Sequence, residues 1–350
     1  MDVDAISPAL LAWYDTHARA LPWRSPPGLP PPDPYRVWLS EIMLQQTGTL
    51  VVSRYFERFI ALWPTVAALA AADEADVLRE WAGLGYYARA RNLIACARIV
   101  AARGGFPDSE PELRRLPGVG TYTAAAVAAI AFGARAVVVD GNVERVVARL
   151  FAVDAPLPGA KAKLHACAAA ITPDARSGDH AQAMMDLGAT ICTPRAPDCP
   201  SCPLVRACIG HATADPARFP VKARRPAKPV RHGNAYWLEV GGEVLLVRRP
   251  PSGLLGGMLA LPGDAWDGTD APPTAGDWQP IGVVRHVFTH FDLRLRVLAL
   301  RLDARPGLTG EWVAVRDVAT AGLPTLYAKA ALAVAQFHRH GDGSEIAGTP

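Results

Sequence analysis

Four cysteines, Cys192, Cys199, Cys202 and Cys208, fall in one short window with intervening gaps of six, two and five residues. Four thiolates that close in sequence describe a metal loop, either tetrahedral zinc or a [4Fe–4S] cluster. The gaps are not the paired CxxC…CxxC of zinc ribbons, and Pro194, Pro197, Pro200 and Pro203 keep the segment irregular. Disulfides are a poor account, because the chain reads as intracellular and is large enough to need no covalent staples. Cys96 and Cys167 stand alone and are expected as small core residues.

Two carboxylates have contexts that suit chemistry. Asp140, in Val137-Val-Val-Asp-Gly-Asn142-Val, is placed to cap a helix running to about Phe151, and the same carboxylate at a helix start is a candidate catalytic group. Glu41 lies in Val37 to Thr47, which reads as a largely apolar helix. A glutamate there is either a polar-face residue or, in an apolar pocket, an acid whose raised pKa keeps it protonated near neutral pH. Between them, Leu116-Pro-Gly118-Val119-Gly120 links a short helix to the one ending near Gly133. Such a turn is either a plain interhelical connection or a phosphate cradle made of backbone N–H groups at a helix start.

These groups need scaffolds, and 350 residues provide about two domains. Half the residues are hydrophobic and a fifth charged, which excludes a largely disordered chain. Apolar runs break well before the roughly 18 residues of a membrane span, and the start, with Asp2 and Asp4, shows no secretory signal. A net charge of +3 excludes no partner, since a nucleic-acid binder needs only a local basic face. Up to about Gly210 the periodicity is helical: Ser7-Pro8 reads as an N-cap with a first-turn proline, and Val51–Leu62 and Thr123–Phe132 follow as helices. From Gly233, short runs at 236–240, 243–248, 278–285 and 293–302 read as strands. Pro216 to His232, proline-rich and basic, reads as a solvated linker or a binding strap. Residues 25–34 and the tail from His338 read as mobile surface.

The segments SEIMLQQT, GLGYYARARNL, LPGVGTYTA, VVDGNVERV and QAMMDLGA, with the four-cysteine spacing, together resemble the MutY-type adenine DNA glycosylases of the endonuclease III superfamily, from about Leu10 to Cys208. The resemblance implies a mainly α helix-hairpin-helix region with a [4Fe–4S] loop (residues 1–215, loop 192–208), a linker (216–232), an α+β MutT/Nudix-like domain (233–337) and a flexible tail (338–350). A monomer in the cytoplasm, associated with the nucleoid of a bacterium, is expected. The partner the resemblance implies is double-stranded DNA carrying 8-oxoguanine:adenine mispairs. By the same resemblance, adenine opposite 8-oxoguanine, and opposite guanine, is expected to be flipped out and its N-glycosidic bond hydrolysed.

Carried over by position, Glu41 protonates adenine N7, Asp140 stabilises the oxocarbenium-like sugar or a covalent intermediate, and Asn142 bonds near the pair. Tyr122 stands where bifunctional relatives carry a lysine, which implies base removal without efficient strand cleavage. Trp23, Arg24, Leu44 and Asp186 match adenine-pocket positions, with Asp186 where the family often has glutamate. Gln46 and Tyr86 match residues that enter the duplex, Gly118, Val119 and Gly120 the phosphate hairpin, and the four cysteines the cluster ligands. Arg89, Arg91, Arg98 and Arg103 form an acid-free stretch expected partly near phosphates and partly as solvated helix face.

In the second half, residues 253–263 resemble the approach to a Nudix box, but the glutamate-rich helix is missing from Asp264–Gly276. Without carboxylates on one helix face there is no Mg²⁺ site, so recognition rather than pyrophosphate hydrolysis is expected. Phe288, Thr289 and His290 match the family's phenylalanine-serine-histidine loop for 8-oxoguanine, whereas Phe291 reads as core. The rivals are a mismatch thymine or uracil glycosylase of the same superfamily, a non-catalytic DNA-binding module, and a Nudix hydrolase.

Overall fold

The computed structural model describes residues 2–223, 227–250, 253–266 and 271–341, and divides into two compact units, 1–224 and 225–350. The first unit is helical: α1 (Ile6–His17), α2 (Pro34–Leu44), α3 (Thr49–Leu62), α4 (Val66–Ala71), α5 (Glu74–Glu80), α6 (Tyr87–Arg103), α7 (Glu110–Leu113), α8 (Thr121–Phe132), α9 (Gly141–Leu150), α10 (Lys161–Ile171), α11 (Ser177–Thr190) and α12 (Ile209–Ala212). Two helices run through its centre. α8 is alanine-rich, buried from Thr123 to Ile130 and apolar on nearly every side, whereas α11, buried over most of Ser177 to Gly188, carries the buried polar residues His180, Gln182 and Asp186. α11 packs on α8, α9 and α1, and α2 packs on α8.

Local chemistry sets the ends that matter. Asp33 accepts from the Tyr35 N–H at 2.8 Å with Pro34 in the first turn, which starts α2. α9 buries Val143, Val146, Val147 and Leu150 at helical spacing behind its Asp140 cap. The expected cap at Ser7 is not formed. α1 begins at Ile6 after Ala5, and the buried Ser7 hydroxyl instead meets His180 Nδ1 at 3.2 Å. Because α1 starts at Ile6, Ser7 lies inside its first turn, and a hydroxyl buried there needs a partner, which the buried imidazole supplies.

The second unit holds β1 (Val230–Val240), β2 (Glu243–Arg248), β3 (Leu259–Ala260), β4 (Gln279–Val287), β5 (Asp292–Leu302), β6 (Glu311–Ala314) and α13 (Thr325–Gly341). The sheet order is β3-β2-β1-β5-β4 with β6 also on β2. β1 and β5 are parallel and the other pairs antiparallel. One face packs Leu293, Leu295 and Val297 against Leu326, Tyr327, Ala330 and Val334 of α13.

The segment read as a linker is ordered at both ends. Phe219 is buried, Val221 O accepts from Leu157 N at 2.9 Å, and β1 already begins at Val230. The expected tail also starts late: α13 includes residues 338–341, and 342–350 lie outside the described residues, as do 267–270 of the expected Nudix-box gap. Among the described residues no helix lies between β3 and β4, and none is long and apolar enough to cross a membrane.

Candidate active site and cysteine loop

The end of α2, the start of α9, one face of α11 and the 18–24 loop enclose a cleft of about 730 Å³, open to solvent. Glu41, Tyr122, Asp140 and Asn142 all line it, although they are up to about a hundred residues apart in sequence. Glu41 is 5 % exposed on α2, its Oε2 has no hydrogen-bond partner, and burial pushes its carboxyl up to about 7. The Tyr122 hydroxyl opposes that shift by bonding to the same carboxyl, and the Asp140 charge adds to it. Burial holds the Tyr122 phenol well above its ordinary range, so it stays neutral, 3.9 Å from Met185 Sδ.

Asp140 is more open and is held by donors. It accepts from Asn142 N at 2.9 Å, Val143 N at 2.7 Å and Asn142 Nδ2 at 3.0 Å. One carboxyl is therefore stripped of water and the other is fixed as a helix cap, as two different chemical roles require. Gly188 on α11 permits the close approach: a Cβ there would meet Asn142 Cβ at 2.7 Å.

Trp23, Arg24, Leu44 and Gln46 also line the cleft. Trp23 is buried edge-on against Phe56, with ring centroids 5.4 Å apart. Gln46 follows the end of α2 with φ +65°, so the helix expected through Thr47 ends at Leu44. Asp186 is a correction: it is fully buried behind the wall and does not line the cleft. Its oxygens accept from Arg19 Nε at 2.7 Å, Arg19 N at 3.0 Å and Arg24 Nη1 at 2.7 Å. The shorter side chain is consumed by two arginines, which it fixes against the pocket. One turn earlier, Gln182 faces the cleft with its Oε1 unpaired and buried. Sequence reading missed both Gln182 and Arg19; for Gln182 the available signal was its position one helical turn before Asp186.

Tyr86 does not line the cleft. It has φ +49°, is 59 % exposed, and lies over the Arg89 guanidinium at 5.4 Å. Arg89 is not free for phosphate either. It donates to Ile42 O at 3.1 Å, Met43 O at 3.3 Å, Leu84 O at 2.9 Å and Gln45 O, capping the end of α2 and fixing the turn that carries Gln46. Arg98 donates to Ala70 O at 3.4 Å and Arg103 pairs with Glu112 at 3.3 Å. The basic stretch is therefore largely structural where its partners are seen.

The hairpin joins α7 to α8. Gly118 has φ +74° and a Cβ there would meet Asn92 Cβ at 2.9 Å, so this position requires glycine. Gly120 has an ordinary φ of −84° and caps α8 without a side-chain bond; Val119 is buried. The first N–H groups of α8 thus have no capping side chain, as an anion site needs.

Cys192, Cys199, Cys202 and Cys208 line a second cavity. Among the described residues no three His, Cys, Asp or Glu side chains close around a single ion. Four sulfur donors around a shared space are a set that either one tetrahedral zinc ion or an iron–sulfur group can use. Arg149, fully buried, braces the loop by donating to Cys192 Sγ at 3.3 Å, Thr193 O at 2.7 Å and Pro194 O at 2.9 Å. Arg145 on the same helix donates to Cys192 O at 2.8 Å, Gly188 O at 2.6 Å and Asn142 Oδ1 at 2.9 Å, joining the loop to the Asp140 turn.

In the second unit, residues 288–291 form the turn between β4 and β5, closed by Phe288 N to Phe291 O at 2.9 Å. Thr289 and His290 are exposed at its tip. Phe288 stacks on Trp266 at 5.2 Å and on Phe291 at 4.8 Å, and Phe291 is core.

Comparison with known proteins places these features. The description "HhH-GPD superfamily base excision DNA repair protein" matches residues 39–171, and "NUDIX domain" matches 234–333. The "Adenine DNA glycosylase" of Homo sapiens is 34% identical over 94% of this chain and 73% of its own length. That of Mycolicibacterium smegmatis is 41% identical over 70% of this chain and 81% of its own. Among solved structures, a thermostable thymine-DNA glycosylase superposes with TM-score 0.54 at 28% identity, over 60% of this chain and 97% of that one. A non-covalent endonuclease III–DNA complex matches at TM-score 0.50 and 24% identity over 61% of this chain and 98% of that one, a likeness of fold.

Proposed function

Since the chain belongs to the adenine DNA glycosylases, a MutY-type family of base excision repair enzymes with HhH-GPD and Nudix-like domains, we propose that it removes adenine paired with 8-oxoguanine, and with guanine, without efficient strand cleavage. One observation carries this reading: Glu41 and Asp140 share one cleft, the first pushed to about 7 by burial and the second held by three N–H donors.

Adenine leaves poorly as an anion, so N7 must gain a proton as the N-glycosidic bond breaks. Glu41, protonated near neutral pH, donates it, with Tyr122 orienting the carboxyl. The bond electrons pass to the base and leave positive charge on the sugar, beside which the Asp140 carboxylate stands. Water then adds to the sugar carbon and loses a proton, giving an abasic site. Tyr122 has no amine with which to form a Schiff base, which supports monofunctional chemistry. Trp23, Arg24 and Leu44, joined by Gln182, would hold the flipped base, with Asp186 acting through Arg24. Gln46 and Tyr86 would occupy the duplex, and Gly118 to Gly120 would take a phosphate at the α8 start.

The four cysteines would hold a [4Fe–4S] cluster, whose iron–thiolate bonds tie residues 192–208 into one rigid loop. Phe288, Thr289 and His290 would read the oxidised guanine, in a unit where no helix among the described residues lies between β3 and β4 to array carboxylates for Mg²⁺-dependent hydrolysis. Such an enzyme works as a cytoplasmic, nucleoid-associated monomer on double-stranded DNA.

The test is a single-turnover assay on a duplex with 8-oxoguanine opposite adenine, the adenine strand labelled, read with and without alkali. A break only after alkali is expected. A break without alkali overturns the Tyr122 argument. Release of thymine or uracil from mismatches but not of adenine would overturn the substrate assignment.

A further inference from the structure

Strand alternation leaves one face of the second unit uncovered. Leu293, Leu295 and Val297 of β5 face α13, so Asp292, Arg294 and Arg296 point the other way. The pairing register extends that face into rows: Val287, Asp292 and Val230; then Arg285, Arg294 and His232; then Val283, Arg296 and Asn234. Further along, the same face is covered by a small core of Leu238, Leu245 and Leu300 with Trp278 and Trp312. At the turn end it is bare: Val230, Val283 and Val287 are 54 %, 62 % and 52 % exposed.

Its charge is one-sided. Asp292 is the only acid between Gln279 and Leu300, and its carboxylate is shared by Arg285 at 2.7 Å and Arg294 at 3.7 Å. Arg296 adds a charge, and the acid beside its row, Asp264, is buried and held by Asn234 N and Nδ2, each at 2.8 Å.

We propose that this bare face binds the phosphate backbone of duplex DNA, separately from the base-reading turn at 288–291. Backbone positions facing one way are about 5 Å apart across neighbouring strands and about 7 Å apart along a strand, a spacing of attachment points from which several arginine forks can reach successive phosphates. The competing occupant, an acidic protein strand added to the open edge of β4, meets an obstacle: the edge is broken by Pro280 and by a register shift between Pro280 and Gly282. The proposal rests on the reading that the chain acts on duplex DNA.

The experiment measures binding of the full chain to an undamaged labelled duplex across a salt series. It compares wild type with R285A/R294A/R296A and with the charge-matched R248A/R305A/R316A. The first variant should flatten the slope of log affinity against log salt by about 2 to 3 and lose on the order of tenfold in affinity near 0.15 M salt. The matched variant should stay near wild type, and Val283→Asp, which removes no ion pair, should weaken binding in the same direction. The rate of adenine release at saturating enzyme should not change in any of the three. Equal behaviour of the two triple variants overturns the proposal, as does unchanged duplex binding with loss of affinity for polyglutamate. Absence of adenine release by wild type would instead sink the glycosylase reading.

Discussion

The two units place their polar groups in opposite ways. In the helical unit, Glu41, Asp186 and Arg24 sit in or behind a cleft wall, each fixed by partners far away in sequence. In the sheet unit, Thr289 and His290 stand exposed at a turn backed by an aromatic stack and by Lys228, which donates to Phe288 O at 2.7 Å. Chemistry requires charge that is desolvated and held before the substrate arrives, because that reorganisation is then absent from the barrier. Recognition tolerates groups that are ordered on contact. Substitutions in the first unit should therefore change a rate, and substitutions in the second a ratio between substrates.

The sharpest way to break this contrast is to remove the carboxylates. Glu41→Gln and Asp140→Asn should each lower single-turnover adenine release by about 10³-fold or more, with duplex binding retained. Phe288→Ala should instead lower the preference for 8-oxoguanine over guanine opposite adenine by roughly tenfold, the scale of one lost base contact, with little change in the maximal rate. Measuring rate and preference for all three on the same duplexes checks the division. A loss of rate in Phe288→Ala equal to that of the carboxylate variants would dissolve it.

Burial also leaves a pH signature in the first unit. Glu41 is raised from 4.5 to about 7, so its stabilising contribution is complete below about 4.5 and is lost as pH rises through about 7. His180, buried against Ser7, is lowered from 6.5 to about 4, so its contribution is complete above about 6.5 and is lost as pH falls through about 4. The two slopes oppose each other between about pH 4.5 and 6.5. Glu41→Gln removes one of them. Relative to wild type, the variant should gain stability steadily from about pH 4.5 to 7 and stay level above, ending up to about 3 kcal/mol further ahead by pH 8, because each tenfold change in proton affinity is worth roughly 1.4 kcal/mol. Unfolding midpoints at pH 5 and 8 decide it, and parallel curves for the two proteins would refute it. Adenine release should fall as pH passes above about 7, where the Glu41 acid ionises.

What was legible in the sequence follows the same divide between local and distant causes. A helix cap is a local event, so Asp140 at the α9 start could be read directly, as could the four-cysteine window and the glycine demanded at Gly118. Ser7 misled because its hydroxyl found His180, 173 residues on. Asp186 was read as a pocket residue because no periodicity announces Arg19 and Arg24 closing on it from the 18–24 loop. Arg89 looked like a phosphate contact for the same reason: the carbonyls that absorb it belong to α2, some 45 residues earlier. Gln182 escaped because a glutamine on a buried helix carries no sequence signal beyond its phase. In the sheet unit the strand at 293–302 was legible, but which of its two faces α13 would cover was not.

The smallest effect should come from Thr289→Ser, and its smallness is informative. Thr289 is exposed on the turn, with Phe288 packed on Trp266 and Phe291 closing the turn from the core. The serine hydroxyl can occupy the same place, and the lost methyl touches no core. A substitution on an exposed turn away from packing changes stability by less than about 0.5 kcal/mol, and the preference for 8-oxoguanine should move less than about threefold if the hydroxyl is the only recognition element. Thr289→Ala removes that hydroxyl and should approach the Phe288→Ala loss. The two substitutions together separate methyl from hydroxyl. A large gain in preference for Thr289→Ser would mean that the methyl crowds the base edge, making this turn a fitted pocket and erasing the contrast with the cleft.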